Sequence, residues 1–164
     1  MPNFLLIADG LDVAAALEEL AALPDLYWHA AHGDADLLVS LLGPDGRRRQ
    51  QERLPSVWAL IGQVHDLARR DFGDNGTVDY ARVGKLPPGR ALAPHADGHD
   101  GVRHRRYQII LASGPDAAIV LDGGSRNLKA GEAWQIDTLK IHSAANPDRE
   151  PRINILFDTR VREE

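Results

Sequence analysis

Apolar and polar positions change their period along this chain near residue 78. Before that point the apolar positions recur every three or four residues. In LDVAAALEELAALP (11–24), Leu17, Leu20 and Leu23 stand at near-helical spacing and Pro24 ends the run. In LPSVWALIGQVHDLARRDFG (54–73), Leu54, Val57, Trp58, Ile61, Val64 and Ala68 share one face of a helix. Pro55 suits an early helical position, where its missing N–H is not needed, and Gly73 suits the stop.

From Val78 the pattern becomes short extended runs separated by Gly, Pro, Asn and Asp. The runs are VDYARVG, RALAPH, RRYQIILAS, AAIVLD, EAWQID and RINILFDTRV, and GPD, DGGSRN and NPDREP between them are turn signals. Six or more short strands at this spacing predict a sandwich or barrel, and a double-sheet jelly roll of the cupin kind fits. The expected architecture is therefore mainly β with flanking helices. It forms one domain over 1–164, with 1–77 a largely helical flank and 78–160 the β core.

Composition narrows the chemistry. The 164 residues suit one core, and with no cysteine there is no disulfide, thiolate nucleophile or cysteine zinc site. No apolar run approaches the roughly 20 residues that span a bilayer, so no membrane span is expected. The start, MPNFLLIADGLD, lacks a basic leader, and a cytoplasmic protein is the expectation. A formal net charge of −5 disfavours a nucleic-acid partner, which recruits protein by phosphate neutralisation. The basic run GRRRQQER (46–53) reads as a solvated face. No feature sets an oligomeric state.

The sharpest chemical signal is APHAD (93–97) at the end of an extended run. Side chains two apart on a strand leave the same face, so His95 and Asp97 can converge. Such a pair is alternatively an exposed turn or a simple hydrogen bond. As part of a metal site it needs a third ligand from another strand, and His142 is the best placed. Two histidines and one carboxylate form the facial triad of non-haem Fe(II) oxygen chemistry, which leaves coordination positions open.

Two arginines add weight. Alternation sets Arg152, Asn154 and Leu156 on one face of RINILFD, and Arg106, Gln108 and Ile110 on one face of RRYQIIL. A guanidinium inside a small β core is costly without an anion, and arginine grips carboxylates with paired hydrogen bonds. Beside His95, Asp97 and His142, these positions point to a dicarboxylate ligand. The alternative is an arginine that snorkels at a strand end and pairs with a surface acid.

LPPGRALAPHADG, then RYQIIL, then AGEAWQIDTLKIHSAANPDREPRINILFD resembles the aspartyl/asparaginyl β-hydroxylase family over roughly residues 78 to 160. The resemblance implies a double-stranded β-helix core and an Fe(II)- and 2-oxoglutarate-dependent oxygenase, a hydroxylase that consumes dioxygen and releases succinate and carbon dioxide. It implies iron ligands at His95, Asp97 and His142. It also implies that Arg152 binds the distal carboxylate of 2-oxoglutarate, with Arg106 helping from the neighbouring strand. The family sometimes has a glycine two after the first histidine, where this chain has Asp97, and often a histidine where Gln108 stands. Gln108 is retained as a co-substrate contact because an amide also donates hydrogen bonds. The implied substrate is an amino acid, a peptide, a lipid acyl chain or another small molecule. A metal-dependent cupin of other chemistry and a non-catalytic binding module are the alternatives.

Other residues have plainer readings. The glycine-rich GHDGVRHRR, with His99 and His104, reads as a mobile rim or substrate lid. His65 reads as structural, and Trp58 and Trp134 as core. His29 and His32 have ligand-like spacing with no partner motif. Asp137 reads either as a support for a metal ligand or as a turn cap. Tyr80 and Arg82 precede the site on a strand and can face the co-substrate.

Overall fold

The computed structural model describes residues 2–97 and 104–161. In chain order the elements are β1 (Phe4–Ala8), α1 (Ala14–Ala22), β2 (His29–Ala31), β3 (Asp36–Leu42), α2 (Pro55–Phe72), β4 (Thr77–Leu86), β5 (Arg90–His95), β6 (His104–Ala112), β7 (Ala118–Leu121), β8 (Gly124–Arg126), β9 (Ala133–Ile136), β10 (His142–Asn146) and β11 (Arg152–Arg160). The strands form two antiparallel sheets. The larger runs β1-β9-β6-β11-β4-β3-β2 and the smaller β5-β10-β7-β8.

Period-2 alternation gives the large sheet two different faces. Val39, Leu41, Ala81, Val83, Tyr107, Ile109, Leu111, Ile155 and Phe157 point outward, where they pack with Ala16, Leu20, Val57, Leu60, Ile61, Val64 and Ala68 of the two helices. Helix α2 begins with Pro55 and ends where Gly73 adopts φ 68°. Glu19 of α1 accepts bonds from Ser56 N (2.7 and 3.0 Å), covering amides that the first turn leaves unpaired. The opposite face of the sheet meets the small sheet, and Ile110, Trp134 and Ile136 pack there on Ile119 and Leu121. The rest of the space between the sheets is a cavity lined by both polar and apolar side chains. The architecture is the expected jelly roll, the double-stranded β-helix.

The first 77 residues depart from the expected helical flank. They supply three strands of the large sheet, with β1 on β9, β3 on β4 and β2 on β3. DLLVSLL (36–42) is packed on both faces, so it reads as a continuous apolar run without the alternation that marks a half-exposed strand. Strand β8 lies inside a segment read as a turn, and β10 begins where only a connection was expected, at His142.

Candidate active site

His95 ends β5 and His142 begins β10, and the two are register partners in the small sheet, so pairing alone brings them together. Their ring centroids are 4.4 Å apart. Each ring is fixed by the same local bond. His95 Nδ1 lies 2.7 Å from Ala93 O and His142 Nδ1 lies 2.9 Å from Lys140 O. A carbonyl only accepts, so each Nδ1 carries a proton, and it is Nε2 that faces Asp97 and offers a lone pair when the ring is neutral. Asp97 follows β5 and is anchored by its amide to Thr138 O at 3.0 Å. Its two carboxylate oxygens lie 3.7 Å from His95 Nε2 and from His142 Nε2. One ligand atom from each of the three residues falls within 4.8 Å of the others. Two neutral imidazole nitrogens and a carboxylate form a donor set suited to a divalent transition metal.

Arg106 controls the acid. It forms a forked pair with Asp158, at 2.7 Å from Nε and from Nη2, and its third nitrogen donates to Asp97 Oδ2. Burial opposes the Arg106 charge, but Asp158 and then Asp97 outweigh it and raise its pKa. Burial likewise pushes Asp97 up, and Arg106, Thr138 and the two imidazoles bring it below its ordinary value, so the carboxylate stays ionised as a ligand. The guanidinium expected to contact a co-substrate lines the cavity and is paired there with two carboxylates, Asp97 and Asp158.

Arg152 is different. It is 6% exposed, and among the described residues its one side-chain hydrogen bond runs to Gln108 Oε1 at 3.5 Å. Among the described residues no carboxylate lies in ion-pair range of it. Burial pushes its pKa down to about 10, which still leaves it charged at neutral pH. Asn154 Nδ2 donates to the same Gln108 oxygen at 3.0 Å. A buried, unpaired guanidinium is costly unless an anion joins it.

One cavity of about 70 Å³ between the sheets is lined by all of these groups: His95, Asp97, His142, Arg106, Gln108 and Arg152. Sequence reasoning missed Thr138 and Asp158. Asp158 was legible, because it continues the Arg152, Asn154, Leu156 alternation by one step. Thr138 had no local signal. Arg82 lines the cavity, and Tyr80 sits with its ring centroid 5.9 Å from the Arg106 guanidinium. Asp137 belongs to the turn before β10, where its carbonyl accepts from Lys140 N, and it does not touch His142. His65 is structural, 3.2 Å from Gly76 O. Trp134 is core, whereas Trp58 is partly buried beneath Arg48. His104 opens β6 and faces Asp79 at 3.0 Å. The rest of the expected lid, with His99, lies outside the described residues.

The family model for aspartyl/asparaginyl β-hydroxylases matches residues 26–161. The chain belongs to that family. The description of that family is one of β-hydroxylases. The match begins upstream of the resemblance read from the motifs and takes in β2, β3 and α2. Two solved structures are similar in fold. An oxidoreductase of the 2OG-Fe(II) oxygenase family from Burkholderia pseudomallei has a TM-score of 0.72 at 12% identity, over 98% of this chain and 85% of that one. The viral collagen prolyl hydroxylase of Paramecium Bursaria Chlorella virus-1, solved as a 2OG complex, has a TM-score of 0.68 at 11% identity, over 99% and 97%. A curated cysteine–tRNA ligase from Thioalkalivibrio sulfidiphilus (strain HL-EbGR7) is 37% identical over 71 residues, 43% of this chain. The chain thus spans about 15% of the length of that curated relative.

Proposed function

We propose that this protein hydroxylates a carbon of an amino acid, a short peptide or another small molecule, with Fe(II) held by His95, Asp97 and His142 and 2-oxoglutarate held at Arg152. One observation carries the reading. A buried guanidinium lacking a carboxylate shares a small cavity with two bare Nε2 atoms and an ionised carboxylate. A dicarboxylate co-substrate supplies the missing charge, and its other end reaches toward the metal ligands. The viral relative, a collagen prolyl hydroxylase solved with 2OG, supports both the co-substrate and a peptide-like substrate.

The iron, when bound, supplies the dioxygen chemistry that a side chain cannot. The chain's own residues do the rest. His95 and His142 present Nε2 to the site because their other ring nitrogens are committed to backbone carbonyls. Asp97 stays charged under Arg106 and Thr138. Arg152 takes one carboxylate of the co-substrate with paired hydrogen bonds, and Gln108 and Asn154 hold its guanidinium side of the cavity. Ile119, Ile136 and Leu156 line the same cavity and exclude water.

The test is anaerobic addition of Fe(II) and 2-oxoglutarate to the metal-free protein. A weak visible charge-transfer band that needs both components is expected. Its absence from folded protein overturns the reading. Arg152→Ala is expected to abolish 2-oxoglutarate turnover, measured as succinate release. A cupin of other chemistry would not respond to that change.

A further inference from the structure

The turn from β2 to β3 is conformationally costly. His32 (φ 49°), Gly33 (φ 65°) and Asp34 (φ 67°) are consecutive left-handed residues, and only the glycine adopts that region freely. The turn carries the His32 side chain to the cavity that holds the metal-ligand cluster. Its Nδ1 lies 2.9 Å from the carboxylate of Asp36, the first residue of β3. Asp36 is only 6% exposed, and this is its one side-chain hydrogen bond among the described residues. A buried carboxylate is spent on steering one imidazole.

That imidazole packs on a ligand. The ring centroids of His32 and His95 are 5.5 Å apart, tilted by 40°. The two candidate ligand histidines are not equally secured. His142 sits on β10, flanked by β5 and β7, and its side chain is 12% exposed. His95 sits on β5, an edge strand of the small sheet, and its side chain is 31% exposed. Among the described residues no strand covers the outer side of β5. Among the described residues, the one hydrogen bond orienting the His95 ring is its own Nδ1 contact to Ala93 O. His32 comes from the edge of the opposite sheet and covers that ring where the small sheet cannot.

We propose that His32, steered by Asp36, is a positioning residue for His95. It fixes the plane of the His95 ring so that Nε2 stays aimed toward Asp97 and His142, and so sets the affinity of the metal site. The inference rests on the metal-site reading above.

The test uses Co(II) titrated into the metal-free protein at one pH, followed by calorimetry and by the visible spectrum. Wild type is expected to bind one Co(II). If it binds none, the metal-site reading fails first. His32→Ala is expected to bind Co(II) at least about tenfold more weakly, the loss usual for groups that orient ligands, with an altered spectrum. His32→Phe keeps a ring against His95 and is expected to recover most of the affinity. His32→Gln keeps a donor to Asp36 without the ring and is expected to resemble His32→Ala. In the metal-free state, the His95 Hε1 proton resonance is expected to move when the neighbouring ring is removed. Should His32→Ala fail to fold, the Phe and Gln variants decide. Equal Co(II) affinity and identical spectra across wild type and folded variants overturn the proposal.

Discussion

Arg106 shows how one residue changes role once its neighbours are known. Alternation along β6 places it in the cavity, which suggested a carboxylate of the co-substrate. In the folded chain its donors go to Asp158 and Asp97, two acids it meets from different elements. Removing it leaves both carboxylates without their cation in a poorly hydrated site. Arg106→Met is therefore expected to cost about 3–5 kcal/mol of stability and to weaken metal binding, because Asp97 loses its anchor. Denaturant unfolding and a Co(II) titration read the two effects separately. Asp74 is a second buried acid, outside the lining of the cavity. Tyr107 OH and Thr159 Oγ1 each donate to it at 2.6 Å, and Gly76 N donates at 2.7 Å. Burial pushes its pKa up, but these donors and Arg105 bring it below 3.8. The ionised form thus favours the fold. The stability it contributes is complete above roughly pH 4 and is lost as pH falls through the lower folded value. Asp74→Asn is expected to be less stable than wild type at pH 7, with a smaller further loss on acidification, measured by urea midpoints across pH.

Strand β11 does the corresponding work at the level of elements. It lies between β4 and β6, and its two faces serve different ends. Ile153, Ile155 and Phe157 meet the helices, whereas Arg152, Asn154 and Leu156 face the cavity and Asp158 pairs with Arg106 at its edge. Stability and ligand affinity are accordingly separable on one strand and its neighbour. Ile155→Ala removes fully buried methyl groups and is expected to cost about 2–4 kcal/mol while leaving 2-oxoglutarate affinity near wild type. Gln108→Leu, next door on β6, leaves Asn154 and Arg152 without their shared acceptor and is expected to weaken 2-oxoglutarate binding by about tenfold or more. Thermal melts and 2-oxoglutarate titrations of the two variants check both halves; parallel losses in the two assays would refute the separation. Strand β11 was readable because its solvent-free polar face interrupts its apolar face at every second position. Strand β3 was not, because both of its faces are packed and the alternation that identifies a strand is missing.

For the whole molecule, two sheets enclose the site and the helices close only the outer side of the larger one. Ligands that bind between the sheets bind the folded state alone, so they should raise the melting temperature by mass action. Co(II) alone is expected to raise it, and 2-oxoglutarate with Co(II) to raise it further. Arg152→Ala should abolish the second increment and keep the first, which differential scanning fluorimetry resolves. The period change near residue 78, the Pro55 and Gly73 boundaries of α2, and the alternation around Arg106, Gln108 and Arg152 are local properties, and the sequence by itself determined them. Those patterns were enough to predict a jelly roll and to put the right side chains on the inward face. Tertiary structure alone decided that His95 and His142 meet as register partners, that Asp97 and Asp158 pair with Arg106, and that His32 lies on His95. These are contacts between positions up to 63 apart, created by strand pairing and sheet closure. A periodicity records which way a side chain points from its own backbone, and carries no information about which distant backbone will stand opposite.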